Sequence, residues 1–179
     1  MNKIEFKPFN KTTGPDFCTF TRLYKDYFTE LSAISPSISD SVKESDIFNM
    51  CRNRELERYL ISFNDNIVGF LLIGIEGNKH PDSDKYIGEF YIAKQYQSQG
   101  IGKEVMTEYL RKNKQKYSLY ILKKNERAIL FWNNVFNACG YKDISWKYTA
   151  EKTAVRLFFK MYKPIEESEC SQIAEGNLG

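Results

Sequence analysis

Residues 86–113, YIGEFYIAKQYQSQGIGKEVMTEYLRKN, constrain the fold more than any other part of the chain. Residues 86–92 are rich in aromatic and β-branched side chains and predict a buried strand. From residue 101 to 113 the pattern switches to helical. Ile101, Val105, Met106, Tyr109 and Leu110 fall on one face, and Lys103, Glu104, Glu108 and Arg111 on the other. Between the two elements lies Gln97-Ser-Gln-Gly-Ile-Gly102. A strand that turns through glycines into a helix presents free backbone N–H groups at the positive end of the helix dipole, which is the geometry for a phosphate or pyrophosphate. Gly100 and Gly102 let the backbone approach such an anion without an intervening Cβ.

The spacing rejects the commoner phosphate loops. Gly-x-Gly-x-x-Gly is absent, so the dinucleotide fingerprint fails. Gly-Lys-Ser/Thr is absent, so the nucleoside-triphosphate loop fails. Histidine chemistry is nearly closed as well. His80 is the single histidine and lies in the polar loop 76–84, which argues against Ser-His-Asp or Cys-His catalysis and against a histidine-rich metal site. No metal is expected. Cys18, Cys51, Cys139 and Cys170 are far apart with no Cys-x-x-Cys pair and no signal-peptide pattern, so they read as reduced thiols of a cytoplasmic protein. No apolar run approaches the ~20 residues of a membrane span. With 26 basic and 23 acidic residues the net charge is +3, which demands no nucleic-acid partner. Lys123, Lys124 and Arg127 form only a small local basic group.

The 179 residues suit one domain, and 42% hydrophobic residues supply its core. Residues 3–9 alternate and predict an edge strand, since Pro8 cannot donate to a ladder. Gly14-Pro15-Asp16 opens a helix with an aromatic stripe of Phe17, Phe20, Tyr24, Tyr27, Phe28 and Leu31. Core packing explains that stripe, and Tyr24 or Tyr27 is also placed to line an acceptor pocket. A polar loop at 32–41 precedes a second helix at about 42–57, whose Arg52 and Arg54, with the following Arg58, read as a solvated face. Strands at 58–63 and 67–75 flank the hairpin turn Asn64-Asp65-Asn66 and lead to the strand at 85–92. After the 101–113 helix, residues 117–122 predict a strand that completes a parallel crossover. A last helix runs from an Asn125 cap to Gly140, with Ala128, Phe131, Trp132, Val135, Phe136 and Cys139 as its apolar stripe. Strands at 142–148 and 155–162 close the pattern, and residues 164–179 form a polar, acidic tail expected to be mobile.

Gln97-x-x-Gly100-x-Gly102 after an extended strand resembles the acetyl-CoA signature of the GNAT superfamily of N-acetyltransferases. Asn125-x-x-Ala128-x-x-Phe131-Trp132, followed by Gly140-Tyr141, resembles the same superfamily's later segment, and the element order over about 3–162 is similar to its whole core. The resemblance implies an α+β domain over 1–163, with a twisted, mostly antiparallel sheet of about seven strands flanked by about four helices. It implies acetyl-CoA as co-substrate. The backbone of Tyr91 and Ile92 would pair with the pantetheine arm. The N–H groups of Gln97, Ser98, Gln99, Gly100, Ile101, Gly102 and Lys103 would hold the pyrophosphate.

Asn125 would contact the pantetheine region, a role that coexists with capping. Phe131 and Trp132 would pack along the arm, although their place on the apolar stripe is also explained by the core. The reaction implied is direct attack of an amine on the thioester, with an oxyanion donor at the Ile92 backbone. Glu89, a carboxylate in an apolar run on the cofactor strand, is the candidate general base; the competing reading turns it away to pair with a Lys or Arg. Trp132 stands where the superfamily often has a Tyr acting as general acid, and Trp cannot titrate. The helix is also about one turn longer than in many members.

A small amine is the first-choice acceptor, and a protein N-terminus or lysine the second. A non-catalytic acyl-CoA-binding sensor is the reading from another class. A monomer and a homodimer are both compatible with the pattern.

Overall fold

The computed structural model describes residues 2–36, 38, 42–76, 83–141, 144–148 and 154–160. Among these, seven strands form one sheet in the order β1-β2-β3-β4-β5-β7-β6. They are β1 (Ile4–Pro8), β2 (Leu56–Phe63), β3 (Asn66–Ile75), β4 (Lys85–Ile92), β5 (Lys116–Leu122), β6 (Ile144–Tyr148) and β7 (Ala154–Lys160). The helices are α1 (Pro15–Ile34), α2 (Glu44–Arg52), α3 (Ile101–Lys112) and α4 (Glu126–Cys139). Every neighbouring pair is antiparallel except β4 with β5, the crossover made by α3. The α+β architecture expected from the sequence is the one observed. His80, Cys170 and the acidic tail lie outside the described residues.

The sheet separates two cores. One packs α3 and α4 against it through Val105, Met106, Leu110, Val135 and Phe136; the other packs α1 and α2 through Phe20, Leu23, Ile47, Leu60 and Phe70. The predicted α3 face is buried as read from its spacing. The hairpin turn follows its chemistry too. Asn64 and Asp65 take φ of 49° and 65°, the left-handed pair a two-residue hairpin demands and Asn and Asp tolerate. Gly69 on β3 permits a close approach, since a Cβ there would lie 2.0 Å from the Tyr91 carbonyl oxygen.

Two expectations need correction. The second helix ends at Arg52 rather than near 57, because Asn53 turns the chain: its side chain accepts from the Glu55 N–H at 2.9 Å and β2 begins at Leu56. Arg58 is not part of a solvated face. Strand alternation turns it inward to 7% exposure, whereas Arg52 and Arg54 remain exposed. Its guanidinium donates to the carbonyls of Asn53 (2.8 Å) and Met50 (3.3 Å) and to Asn10 Oδ1 (3.1 Å). A buried cation at the negative end of α2 thus ties that helix to β2 and to the residues after β1. Arg58→Ala is expected to leave these acceptors unpaired and to cost about 2–3 kcal/mol, read as a lower denaturant midpoint with an unchanged slope.

Candidate active site

The site begins where the sheet comes apart. β4 and β5 pair only at Lys85–Tyr117, Tyr86–Ser118 and Ile87–Leu119. The next residue, Gly88, is an extra residue in β4: Ile73 faces Ile87 and Leu72 faces Glu89, with nothing opposite Gly88. Such a bulge bends its strand and re-aims the side chains after it, and a glycine inside a strand is its local signal. A cleft of about 890 Å³ occupies the gap between the diverging strands.

Beyond the bulge the strand alternates across the cleft. Glu89 and Tyr91 turn to the α1 side, where Glu89 meets Tyr27 and Tyr91 meets Glu30. Phe90 turns to the α4 side and stacks on Phe131 at 5.5 Å between ring centroids. The half-buried Glu89 accepts a hydrogen bond at Oε2 from the Tyr27 hydroxyl. Burial pushes its carboxyl up to about 7, and the Tyr27 hydrogen bond opposes the shift only in part. Burial also raises the Tyr27 hydroxyl far above its ordinary value, with the Glu89 charge adding to it, so Tyr27 remains a proton donor in that bond. Glu89 therefore has neither of the partners, Lys or Arg, that the competing reading would give it among the described hydrogen bonds and ion pairs.

At the far end of β4, one 3-10 turn (Lys94–Tyr96) carries the chain to Gln97. Ser98 (φ 61°) and Gly100 (φ 80°) then take left-handed backbone conformations, and Gly100 is the N-cap of α3. The first intrahelical bond is Glu104 N–H to the Gly100 carbonyl at 3.1 Å. The N–H groups of Ile101, Gly102 and Lys103 precede it, so helix geometry leaves them without an intrahelical acceptor, and no side chain caps this end. Ser98, Gly100, Gly102 and Lys103 border the cleft. Gly102 sits close beneath it, since a Cβ there would lie 3.3 Å from Phe131 and 3.4 Å from Ile92. Free N–H groups at a helix start, beside a strand edge that β5 leaves unpaired, suit a phosphate-bearing ligand with an extended arm.

The remaining sequence-predicted residues divide. Asn125 does cap α4, accepting from the Ala128 N–H at 3.0 Å, and also borders the cleft, so both of its roles are geometrically compatible. Phe131 and Trp132 border the cleft while packing in the core, Trp132 being 7% exposed and stacked on Phe136 at 5.8 Å. Ile92 and Tyr91 line it. Ile101 contributes only backbone, because its side chain is buried in the core. Gln99 turns back to the Gln95 carbonyl at 2.8 Å and does not line the cleft. Tyr27 lines the cleft but Tyr24 does not: its ring packs on Phe20, Phe28 and Phe70 in the α1 core, which corrects its assignment to the acceptor pocket.

The Gln97 side chain acts as a staple. Its Nε2 donates to the Ile92 carbonyl (2.8 Å) and to Glu30 on α1 (3.1 Å), and its Oε1 accepts from Arg127 at the start of α4 (3.3 Å). Glu30, which also accepts from Tyr91 at 2.8 Å, was not singled out by sequence reasoning. Neither was the Gly88 bulge. Arg127, grouped by sequence with Lys123 and Lys124, belongs instead to this staple. Gly88 carried a local signal; the Glu30 contact spans 67 residues and carried none. Among the described residues no His, Cys, Asp or Glu cluster is arranged to hold a metal, and no helix is long and apolar enough to cross a membrane.

Comparison with known proteins bears on the fold and the family. No curated protein sequence matches the chain. An acetyltransferase from Thermus thermophilus superposes with a TM-score of 0.56 at 15% identity, covering 87% of this chain and 95% of that one. The diaminobutyrate acetyltransferase EctA from Paenibacillus lautus, in complex with L-2,4-diaminobutyric acid and coenzyme A, gives 0.58 at 12% identity, covering 93% and 100%. The aminoglycoside acetyltransferase meta-AAC0020, from an uncultured soil metagenomic sample, gives 0.53 at 20% identity, covering 83% and 95%. These likenesses show the fold. The family model for "Acetyltransferase (GNAT) family" matches residues 19–137, a span that takes in Glu89, the glycine turn and most of α4, and the chain belongs to that family.

Proposed function

We propose that the chain transfers the acetyl group of acetyl-CoA to the amine of a small molecule, both held in the cleft, with Glu89 as general base. The observation that carries this reading is a carboxylate whose pKa burial lifts to about 7, facing the cleft at the point where β4 leaves β5. The diaminobutyrate and aminoglycoside acetyltransferases of the same fold support a small amine as acceptor.

Acetyl-CoA supplies an activated acyl group, whose carbon–sulfur bond breaks as the amine nitrogen bonds to the carbonyl carbon. The chain's residues do the rest. The N–H groups at the start of α3, from Ile101 to Lys103, hold the pyrophosphate, with Gln97, Ser98, Gln99 and Gly100 shaping the turn before them. The edge of β4 at Tyr91 and Ile92, to which β5 no longer pairs, receives the arm, and Asn125, Phe131 and Trp132 close the α4 side. Holding both reactants in one cleft supplies proximity. Glu89 removes a proton from the ammonium, directly or through a water, so that the nitrogen attacks as a neutral amine. Tyr27 holds Oε2 and leaves Oε1 to face the acceptor. The Ile92 N–H is the donor to the developing oxyanion. Trp132 supplies no proton to the leaving sulfur, so coenzyme A departs as a thiolate and is protonated by water.

The test is release of free thiol from acetyl-CoA with a panel of small amines. Amine-dependent release at a rate that saturates with both substrates is expected. Binding of acetyl-CoA with no amine-dependent release would replace the enzyme by an acyl-CoA sensor.

A further inference from the structure

We propose that the acceptor is a monoamine carried on an apolar or aromatic body, and not a polyamine or an aminoglycoside-like polycation. The inference rests on the reading of Glu89 as the base and names the substrate class of that same cleft.

The side of the cleft reached by Glu89 is walled by α1. Phe28, Leu31 and Ile34 follow one another at helical spacing, and Ile38 continues the line beyond the helix end. All four are half-buried, so each keeps apolar surface toward the cleft. Tyr120 of β5 also lines the cleft; strand alternation turns it away from the core residues Leu119 and Ile121, and the residue is 53% exposed. An apolar body laid between this stripe and the Tyr120 ring removes water from both surfaces.

Charge points the same way. Among the described residues lining the cleft, the only carboxylates are Glu30 and Glu89. Glu30 is occupied by the Tyr91 hydroxyl and the Gln97 amide, and Glu89 Oε2 by Tyr27. One ammonium fits at Glu89, where it loses its proton. A second or third would lie beside the stripe of Phe28, Leu31, Ile34 and Ile38, which offers it no polar or charged partner, and burial there is unfavourable. The other charged lining residues, Lys103 and Arg127, are cations and repel it. A peptide α-amine meets a related obstacle, because the amide groups that follow it require polar partners that the stripe does not present.

In the step itself the amine nitrogen bonds to the thioester carbon and the carbon–sulfur bond breaks with its electron pair on sulfur. The proton taken by Glu89 passes to solvent, and the thiolate is protonated by water. The test measures thiol release by the full chain with acetyl-CoA and four acceptors: 2-phenylethylamine, spermidine, kanamycin and a short peptide with a free α-amine. The expected kcat/KM for 2-phenylethylamine exceeds that of each of the others by about 10–100-fold, the range a buried ring supports. Leu31→Glu, which puts a carboxylate into the stripe, is expected to lower the 2-phenylethylamine value at least tenfold and to raise that of spermidine. An unchanged thermal shift with acetyl-CoA certifies that the variant is folded. Faster turnover of spermidine, kanamycin or the peptide by the parent overturns this inference and leaves amine acetylation standing. No release with any of the four, while acetyl-CoA binds, overturns both.

Discussion

Replacing Glu89 with glutamine is expected to lower kcat/KM for amine acetylation by about 10²–10⁴-fold at pH 7, the usual contribution of a positioned general base. Glutamine keeps the volume and can still accept from Tyr27, so the loss isolates proton abstraction. The pH profile makes the assignment sharper. In the parent, kcat/KM should rise with pH through about 7 as Glu89 ionises, falling roughly tenfold per unit below it; the variant should lose that limb. Stability supplies an independent readout. The folded-state pKa of Glu89 is raised above its ordinary 4.5 to about 7, so between those values the folded protein binds more protons than the unfolded chain. The parent's stability therefore falls through this term as pH rises from about 4.5 to 7, and the cost is fully present above 7. Glu89→Gln should relieve it, so the variant's stability relative to the parent should improve from pH 5 to pH 8. A variant with full kcat/KM across that range would remove Glu89 from the chemistry.

Gly102→Asp is expected to abolish stabilisation by acetyl-CoA while leaving a folded protein. A ligand at about 100 times its Kd stabilises by roughly 2.7 kcal/mol, which for a chain of this size is a Tm rise of about 5–10 °C. At the second position of α3 the new carboxylate suits the helix dipole, so the helix itself should hold. That carboxylate stands where the pyrophosphate would be received, and its Cβ also presses on Phe131 at 3.3 Å. The parent should shift and the variant should not, in paired unfolding scans with and without acetyl-CoA. An equal shift in both would move the pyrophosphate elsewhere.

What was legible in the sequence had local causes. The strand, glycine turn and helix around residues 86–113 follow from side-chain period and from the left-handed backbone that Gly100 supplies. The Asn64-Asp65 hairpin and the Asn125 and Gly140 ends of α4 follow from turn and cap chemistry. The illegible parts depended on distant partners. Arg52, Arg54 and Arg58 look alike in a string; only the docking of β2 against the end of α2 decides that Arg58 is the buried one. Tyr24 and Tyr27 are one turn apart, and the line along which α1 crosses β4 decides that only the latter reaches Glu89. The bulge at Gly88 exists only as a mismatch with β3, a relation between strands rather than a property of either.

The short seam between β4 and β5 has a mechanical consequence. Only three residue pairs join the sheet's first four strands to its last three. The two parts of the sheet meet along this short seam, and the cleft opens where the seam ends. A bound pantetheine arm would act as a missing rung between β4 and β5. Backbone amides of β5 beyond Leu119 would then exchange with solvent more slowly.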